Sequence, residues 1–190
     1  GLMHPTNQTI HALNEFKNQG HKIVIATARG EVPQSVQDIE FDGYICSDGH
    51  YIRFEGEILI DELFNNQQVQ KQLDIYQKYY GHNGEWCSCL DDELVVKHRE
   101  MFQGTSERPQ NVYEKFDAKD IEAVSCCVLF DNAEDMWSAY HELENEFTMV
   151  PYETGLIRMD VYCKGFTKGT ACEYLYKKLG IEYENTYAFG

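Results

Sequence analysis

The chain has few basic residues and no long hydrophobic run. Its 190 residues include 16 Lys and Arg against 32 Asp and Glu, which gives a formal net charge of -16 at pH 7. Nucleic acids and anionic membranes are bound by clustered cations, so this balance argues against both as partners. No apolar stretch approaches the roughly 20 residues that a membrane span requires, and residues 1–5 lack the features of a signal peptide. We therefore expect a soluble, cytoplasmic protein.

The cysteines are odd in number and follow no regular spacing. There are seven, several of them inside strand-like runs, and this favours reduced, buried thiols over a disulfide framework. A zinc site built from Cys87, Cys89, Cys126 and Cys127 is the alternative, although neither spacing is the usual two-residue knuckle. None of the histidines has the helical partner at i+4 that a metal site would use.

The most informative stretch that is present is an apolar run at residues 22–26, followed by Thr27, Ala28, Arg29 and Gly30. Such a run predicts a strand buried on both faces, as in the parallel sheet of an α/β protein. Ligands of these sheets bind at the carboxyl ends of the strands. The hydroxyl and guanidinium that follow this strand therefore indicate an anion site.

The rest of the pattern alternates between helical and strand periodicity, which predicts an α/β protein. Helices are predicted over 6–19, 32–38, 62–80, 133–146 and 167–178. Strands are predicted over 22–26, 44–46, 50–54, 57–60, 85–89, 93–98, 124–130, 147–152, 156–163 and 186–189. Breaks in the pattern divide the chain into residues 1–60, a separate α+β layer over 61–160, and a return to the first pattern over 161–190.

Four motifs in this order resemble the haloacid dehalogenase superfamily, specifically the Cof-like subfamily IIB with a C2B cap. They are the strand and loop at residues 23–29, the segment 42–49 (DGYICSDG), the segment 164–171 (KGFTKGTA) and the segment 185–190 (NTYAFG). The resemblance extends over nearly the whole chain. It implies a Rossmann-like core with a parallel sheet, formed by residues 1–60 and 161–190, and an inserted α+β cap over 61–160.

The resemblance also assigns roles to single residues. The Thr27 hydroxyl and the Lys168 ammonium would hold the transferring phosphoryl group, and Arg29 matches the family arginine. Ala28, Arg29 and Asp48 would contact the substrate, although Ala28 occupies a position where this group usually has glycine and Asp48 one where it commonly has asparagine. A carboxylate that faces phosphate would repel it unless the carboxylate is protonated or bound to a cation.

The implied activity is magnesium-dependent hydrolysis of a small phosphorylated metabolite, such as a sugar phosphate or a cofactor-like phosphomonoester, through an aspartyl-phosphate intermediate. The nucleophilic aspartate and the metal carboxylates of the family pattern fall outside residues 1–190. We therefore expect this sequence to be an interior portion of a longer polypeptide, poorly soluble by itself.

Several alternatives stay open at this point. They are a catalytically inactive relative that binds a phosphorylated ligand or a protein, and a phosphomutase of the same fold. The sequence fits a monomer or a homodimer. It also leaves open whether a turn at Asp91 and Asp92 contacts the substrate.

Overall fold

The computed structural model describes residues 5–30, 32, 34–36, 38–87, 94–96, 110–112 and 117–189. The chain forms two compact units: the first comprises Gly1–Asp61 and Phe166–Gly190, and the second comprises Glu62–Gly165. The second boundary therefore follows Gly165, whereas the sequence placed it at residue 160. The reason is that the strand Arg158–Cys163 pairs along its whole length with strands of the second unit.

The described elements are these. The helices are α1 (Asn7–Asn18), α2 (Asn66–Lys78), α3 (Ala133–Leu143) and α4 (Lys168–Lys178). The strands are β1 (Val24–Ala26), β2 (Gly43–Cys46), β3 (Tyr51–Phe54), β4 (Glu57–Asp61), β5 (His82–Cys87), β6 (Leu94–Val96), β7 (Gln110–Val112), β8 (Ser125–Leu129), β9 (Phe147–Tyr152) and β10 (Arg158–Cys163). The predicted mixed α/β fold is confirmed.

Side-chain caps fix where the helices begin. Thr6 caps α1 and Thr167 caps α4, as the sequence predicted, because each hydroxyl accepts a hydrogen bond from a first-turn N–H. Helix α2 begins later than predicted. The Asn65 side chain and the Gln68 side chain each accept from the other residue's backbone N–H, at 3.0 and 2.9 Å, and this capping box sets the start at Asn66.

The sheet of the first unit has the order β1-β2-β3-β4. Strand β1 is parallel to β2, and the pairs β2–β3 and β3–β4 are antiparallel. The prediction that β1 is buried on both faces is wrong: Val24 and Ile25 are half-buried and Ala26 is exposed. Among the described residues β1 pairs with β2 alone.

Two further predictions for the first unit are wrong. Within 32–38 the described residues form only a short 3₁₀ turn, Gln34–Val36, in place of a helix. Residues 186–189 form no strand, since no described strand pairs with them, and Tyr187 and Phe189 are each 77% exposed. Strand-like composition cannot make a strand without a neighbour to accept and donate its backbone hydrogen bonds.

The second unit has a six-stranded sheet in the order β7-β6-β5-β8-β10-β9. Of the strand pairs that the structure describes in this unit, β6–β7 is parallel and the others are antiparallel. Helices α2 and α3 contribute Tyr76, Met136 and Leu143 to a core that also contains Trp86 and Met159, all fully buried. Of the helices that the structure describes in either unit, none has the length and apolar character needed to cross a bilayer.

None of the six cysteines within the described residues forms a disulfide. Burial raises the pKa of the Cys126 and Cys127 thiols well above the ordinary value, and raises that of Cys163 to about 11. These thiols therefore stay protonated near neutral pH, which makes them poor nucleophiles. The proposed zinc ligand Cys89 and the Asp91–Asp92 turn lie outside the described residues.

Candidate functional site

The residues after β1 are joined to those after β2 by backbone hydrogen bonds. The Thr27 N–H donates to the Ile45 carbonyl at 2.8 Å, and the Asp48 N–H donates to the Thr27 carbonyl at 3.2 Å. The Ser47 N–H donates to the Arg29 carbonyl at 2.8 Å. Because β1 and β2 are parallel, both loops leave the same edge of the sheet, where α/β proteins bind ligands.

The turn after β2 consists of three successive residues with left-handed backbone. Their φ angles are 47° at Ser47, 55° at Asp48 and 106° at Gly49. The buried His50 closes the turn, because its backbone N–H and its Nδ1–H both donate to the Ser47 carbonyl, at 3.2 and 2.9 Å. Non-glycine residues adopt this conformation at a cost, so the surrounding bonds must hold it in place.

Gly49 brings this turn against the start of α4. A Cβ at position 49 would lie only 2.6 Å from the carbonyl oxygen of Thr167, the N-cap of α4. No side chain fits at position 49, and the left-handed φ of this residue also disfavours any residue other than glycine. The contact places Lys168, the first residue of α4, beside the turn.

Lys168 and Asp48 form an ion pair at this edge. The Lys168 Nζ lies 3.3 Å from Asp48 Oδ1, and the two side chains are 48% and 16% exposed. A half-exposed ammonium next to the N-terminal end of a helix is well suited to bind an anion, since the helix end adds partial positive charge.

The Thr27 hydroxyl lies on the other side of the turn. Its oxygen accepts a hydrogen bond from the Arg29 N–H at 3.1 Å. A hydroxyl also carries one proton to donate, so Thr27 retains a donor for an anion. Thr27 is half-buried, whereas the predicted ligand-binding residues Ala28 and Arg29 are exposed.

The structure therefore brings Thr27, Asp48 and Lys168 into one contiguous set. A backbone hydrogen bond links Thr27 to Asp48, and the ion pair links Asp48 to Lys168. Arg29 is attached to the same loops through its carbonyl oxygen, but its guanidinium forms no ion pair with the described residues. A role for the Ala28 backbone and the Arg29 side chain in ligand binding stays a prediction.

The described residues do not fit a magnesium site. They contain no group of three or more His, Cys, Asp or Glu side chains placed to hold a metal ion. The carboxylate at this edge, Asp48, is already paired with Lys168. Mg²⁺ takes several oxygen ligands in octahedral geometry, and a single engaged carboxylate cannot supply them.

The sequence placed Ser47, Gly49 and Thr167 within the motifs 42–49 and 164–171 and predicted a helix start at Thr167, but it missed how these residues and His50 position the site through the backbone. Ser47, Gly49, His50 and Thr167 position the turn and the start of α4. The Ser-Asp-Gly tripeptide after a strand is a local signal for a tight turn. The approach of Gly49 to Thr167 joins positions more than a hundred residues apart, and no local pattern indicates it.

Comparison with known families agrees with this geometry. The sequence model of the haloacid dehalogenase-like hydrolases matches residues 3–190. The chain belongs to this family. The four motifs that suggested the resemblance all lie within the matched residues, so the predicted membership is confirmed. No protein in the curated comparison matches.

Solved structures with the family's fold match nearly the whole chain. The subclass IIB sugar phosphatase BT4131 has a TM-score of 0.74 at 18% identity, covering 96% of this chain and 72% of its own. The phosphatase BT1666 from Bacteroides thetaiotaomicron has a TM-score of 0.75 at 16% identity, with coverages of 94% and 67%. A haloacid dehalogenase-like hydrolase from B. subtilis has a TM-score of 0.76 at 14% identity, with coverages of 96% and 75%. At these identities the likeness concerns the fold.

Proposed function

We propose that this protein is a phosphomonoester hydrolase that acts on a small phosphorylated metabolite. The observation that carries the proposal is the ion pair between Lys168 and Asp48, next to Thr27 at the carboxyl ends of two parallel strands. Family membership supports it, and so does the description of one structural neighbour, BT4131, as a sugar phosphatase.

In the proposed reaction the described residues bind and orient the phosphoryl group. The Lys168 ammonium would neutralise charge on its equatorial oxygens, and the Thr27 hydroxyl would donate a hydrogen bond to one of them. The first-turn N–H groups of α4 other than that of Thr170, which donates to the Thr167 hydroxyl, add donors that no helical carbonyl uses. Phosphoryl transfer is catalysed mainly by such positioning and charge stabilisation.

The nucleophile and the metal are separate parts of the proposal. The chemistry of the family uses an aspartate nucleophile and a bound Mg²⁺ ion. The described site contains neither an unpaired carboxylate nor a set of metal ligands. We therefore assign binding and orientation to Thr27 and Lys168, and assign no bond-making step to any described residue.

The second unit, residues 62–165, is proposed to serve as the cap that restricts access to the substrate.

The test is phosphate release from a panel of phosphomonoesters, including sugar phosphates, by the protein in its full natural length. We expect release that requires magnesium and that Lys168→Ala reduces strongly, whereas Lys177→Ala at the far end of α4 leaves it unchanged. Release that is equally fast in the Lys168→Ala variant would contradict the proposal.

A second candidate function is phosphoryl-ligand binding without hydrolysis. The ion pair favours this function as well, because the Asp48 carboxylate is paired with Lys168 instead of facing open space. Under this proposal the protein binds phosphomonoesters in a Lys168-dependent manner but releases no phosphate with any metal. The panel experiment thus separates the two candidates.

A further inference from the structure

We infer that Asp48 is a built-in competitor for Lys168, which an incoming phosphoryl group has to displace from the ammonium. The inference rests on the proposed function, because it concerns the same site. Its starting point is that the ammonium proposed to bind phosphate already lies 3.3 Å from a carboxylate oxygen.

The backbone fixes the carboxylate more firmly than the ammonium. Asp48 is the middle residue of the left-handed turn, and its N–H is bonded to the Thr27 carbonyl at 3.2 Å. Ser47, which precedes Asp48, is hydrogen-bonded through its carbonyl to His50. Gly49, which follows Asp48, packs against Thr167. The Asp48 side chain is 16% exposed, so the turn presents it in one place.

Lys168 is the partner that can move. Its side chain is 48% exposed, and four rotatable carbon bonds separate its ammonium from the backbone. We expect the ammonium to leave Asp48 for a phosphoryl oxygen while the turn stays unchanged. The cost of this exchange reduces the affinity of the site for phosphate.

The electrostatic consequence has a definite sign. With Asp48 charged, phosphate loses part of the attraction of Lys168 and also meets a like charge nearby. Removing this charge should therefore tighten phosphate binding. For a solvent-accessible ion pair of this kind we expect a gain of roughly two- to fivefold in affinity.

The variant that tests this is Asp48→Asn. Asparagine has nearly the same shape as aspartate, and both tolerate the left-handed backbone better than most other residues. Glycine also adopts this backbone readily, so Asp48→Gly serves as a second variant in case the asparagine side-chain amide disturbs the turn. Thermal unfolding confirms that each variant is folded.

The matched control is Glu55→Gln. Glu55 also has a left-handed backbone, with φ of 48°, and pairs with Lys22 at the amino end of β1. Lys22 lies five residues before Thr27, which is roughly 16 Å along an extended strand. The control therefore removes one carboxylate charge from a lysine pair that lies far from the site.

The measurement is an NMR titration of each variant with inorganic phosphate at constant ionic strength, following the amides of Thr27 and Lys168. We expect Asp48→Asn to lower the dissociation constant roughly two- to fivefold and Glu55→Gln to leave it unchanged. The gain should shrink in the Lys168→Ala background, because the competition acts through that ammonium.

Equal phosphate affinity in the wild-type protein and in both Asp48 variants, with binding still dependent on Lys168, would overturn this inference and leave the proposed function standing. A full gain that persists without Lys168 would overturn the competition in favour of direct repulsion. No phosphate-dependent change at Thr27 or Lys168 in any variant would overturn both the inference and the proposed function.

Discussion

The sheets of the two units differ most at their strand ends. In the first unit, strand β1 has no fully buried residue, and the strand ends carry an ion pair and three successive left-handed residues. In the second unit, β8 and β10 are interior strands with several buried residues each. Both units have an apolar core, which in the first includes Ile45 and Ile52, but the candidate site lies at the strand ends of the first unit.

Aromatic packing sharpens the contrast. In the second unit Trp86 makes an edge contact with Phe64 and a tilted contact with Tyr76, at centroid distances of 6.1 and 6.5 Å. Such pairs add to the stabilisation from area burial. In the first unit a helix, α1, has no buried residue, and its Phe16 is 46% exposed. Helix α4 of the same unit does bury Ala171 and Leu175, and its Tyr174 makes an edge contact with Phe166 at 6.3 Å, so the contrast between the units is strongest at α1.

The largest expected effect comes from the core of the second unit. Leu143→Ala should cost about 2–5 kcal/mol of unfolding free energy, because it removes a fully buried side chain and leaves a cavity. Urea unfolding measures this loss. Leu156→Ala in the same unit is the control, since Leu156 is 59% exposed and should change little. Similar costs at both positions would contradict the core assignment.

The next largest effect is expected from the ammonium of the candidate site. Lys168→Ala should reduce turnover of a substrate found in the phosphate-release screen by about 10²–10³-fold, as expected when one positioned charge is removed from a transition state. The fold should persist, because the Lys168 side chain is half-exposed. Lys177→Ala, in the last turn of α4, should have normal turnover. A loss of stability in place of turnover would assign Lys168 a structural role.

The third prediction concerns the close approach at Gly49. Gly49→Ala should cost about 2–4 kcal/mol, because a left-handed alanine is strained and its Cβ collides with the Thr167 carbonyl. Gly56→Ala is the control. Gly56 has a φ of +87° but nothing within 4 Å, so the control shows the conformational cost without the collision. Thermal unfolding of the two variants should differ, and equal costs would mean that Thr167 shifts freely.

The smallest expected effect is that of the Thr27 hydroxyl. Thr27→Val keeps the shape but removes the donor, and should weaken phosphate binding roughly tenfold, since a hydrogen bond to a charged group is lost. Thr27→Ser keeps the hydroxyl and should bind phosphate nearly as well as the wild type. A phosphate titration compares the two, and equal weakening by both would point to the methyl group instead.

Much of the fold could be predicted because it depends on local chemistry. Thr6 and Thr167 begin helices since a hydroxyl at that position satisfies a first-turn N–H. Residues 147–152 form β9 with the predicted bounds. Thr27, Asp48 and Lys168 could be selected from the sequence because their residue types and motif order match a phosphate site.

The features that could not be predicted depend on partners distant in the chain. The exposure of Ala26 reflects the pairing of β1 with β2 alone among the described strands, which no apolar run reveals. Residues 186–189 have strand-like composition but no paired neighbour among the described strands. The role of Gly49 depends on Thr167, which reaches it only after the chain has folded back.

The sequence by itself determined the family, the mixed α/β organisation and the residues of the candidate anion site. Periodicity, caps and motif order are local properties, and each residue type carries its chemistry wherever it lies. Only the tertiary structure decided that the Lys168 ammonium is already engaged by Asp48. That pairing depends on a left-handed turn and a close helix approach, which arise when separate segments pack at one sheet edge.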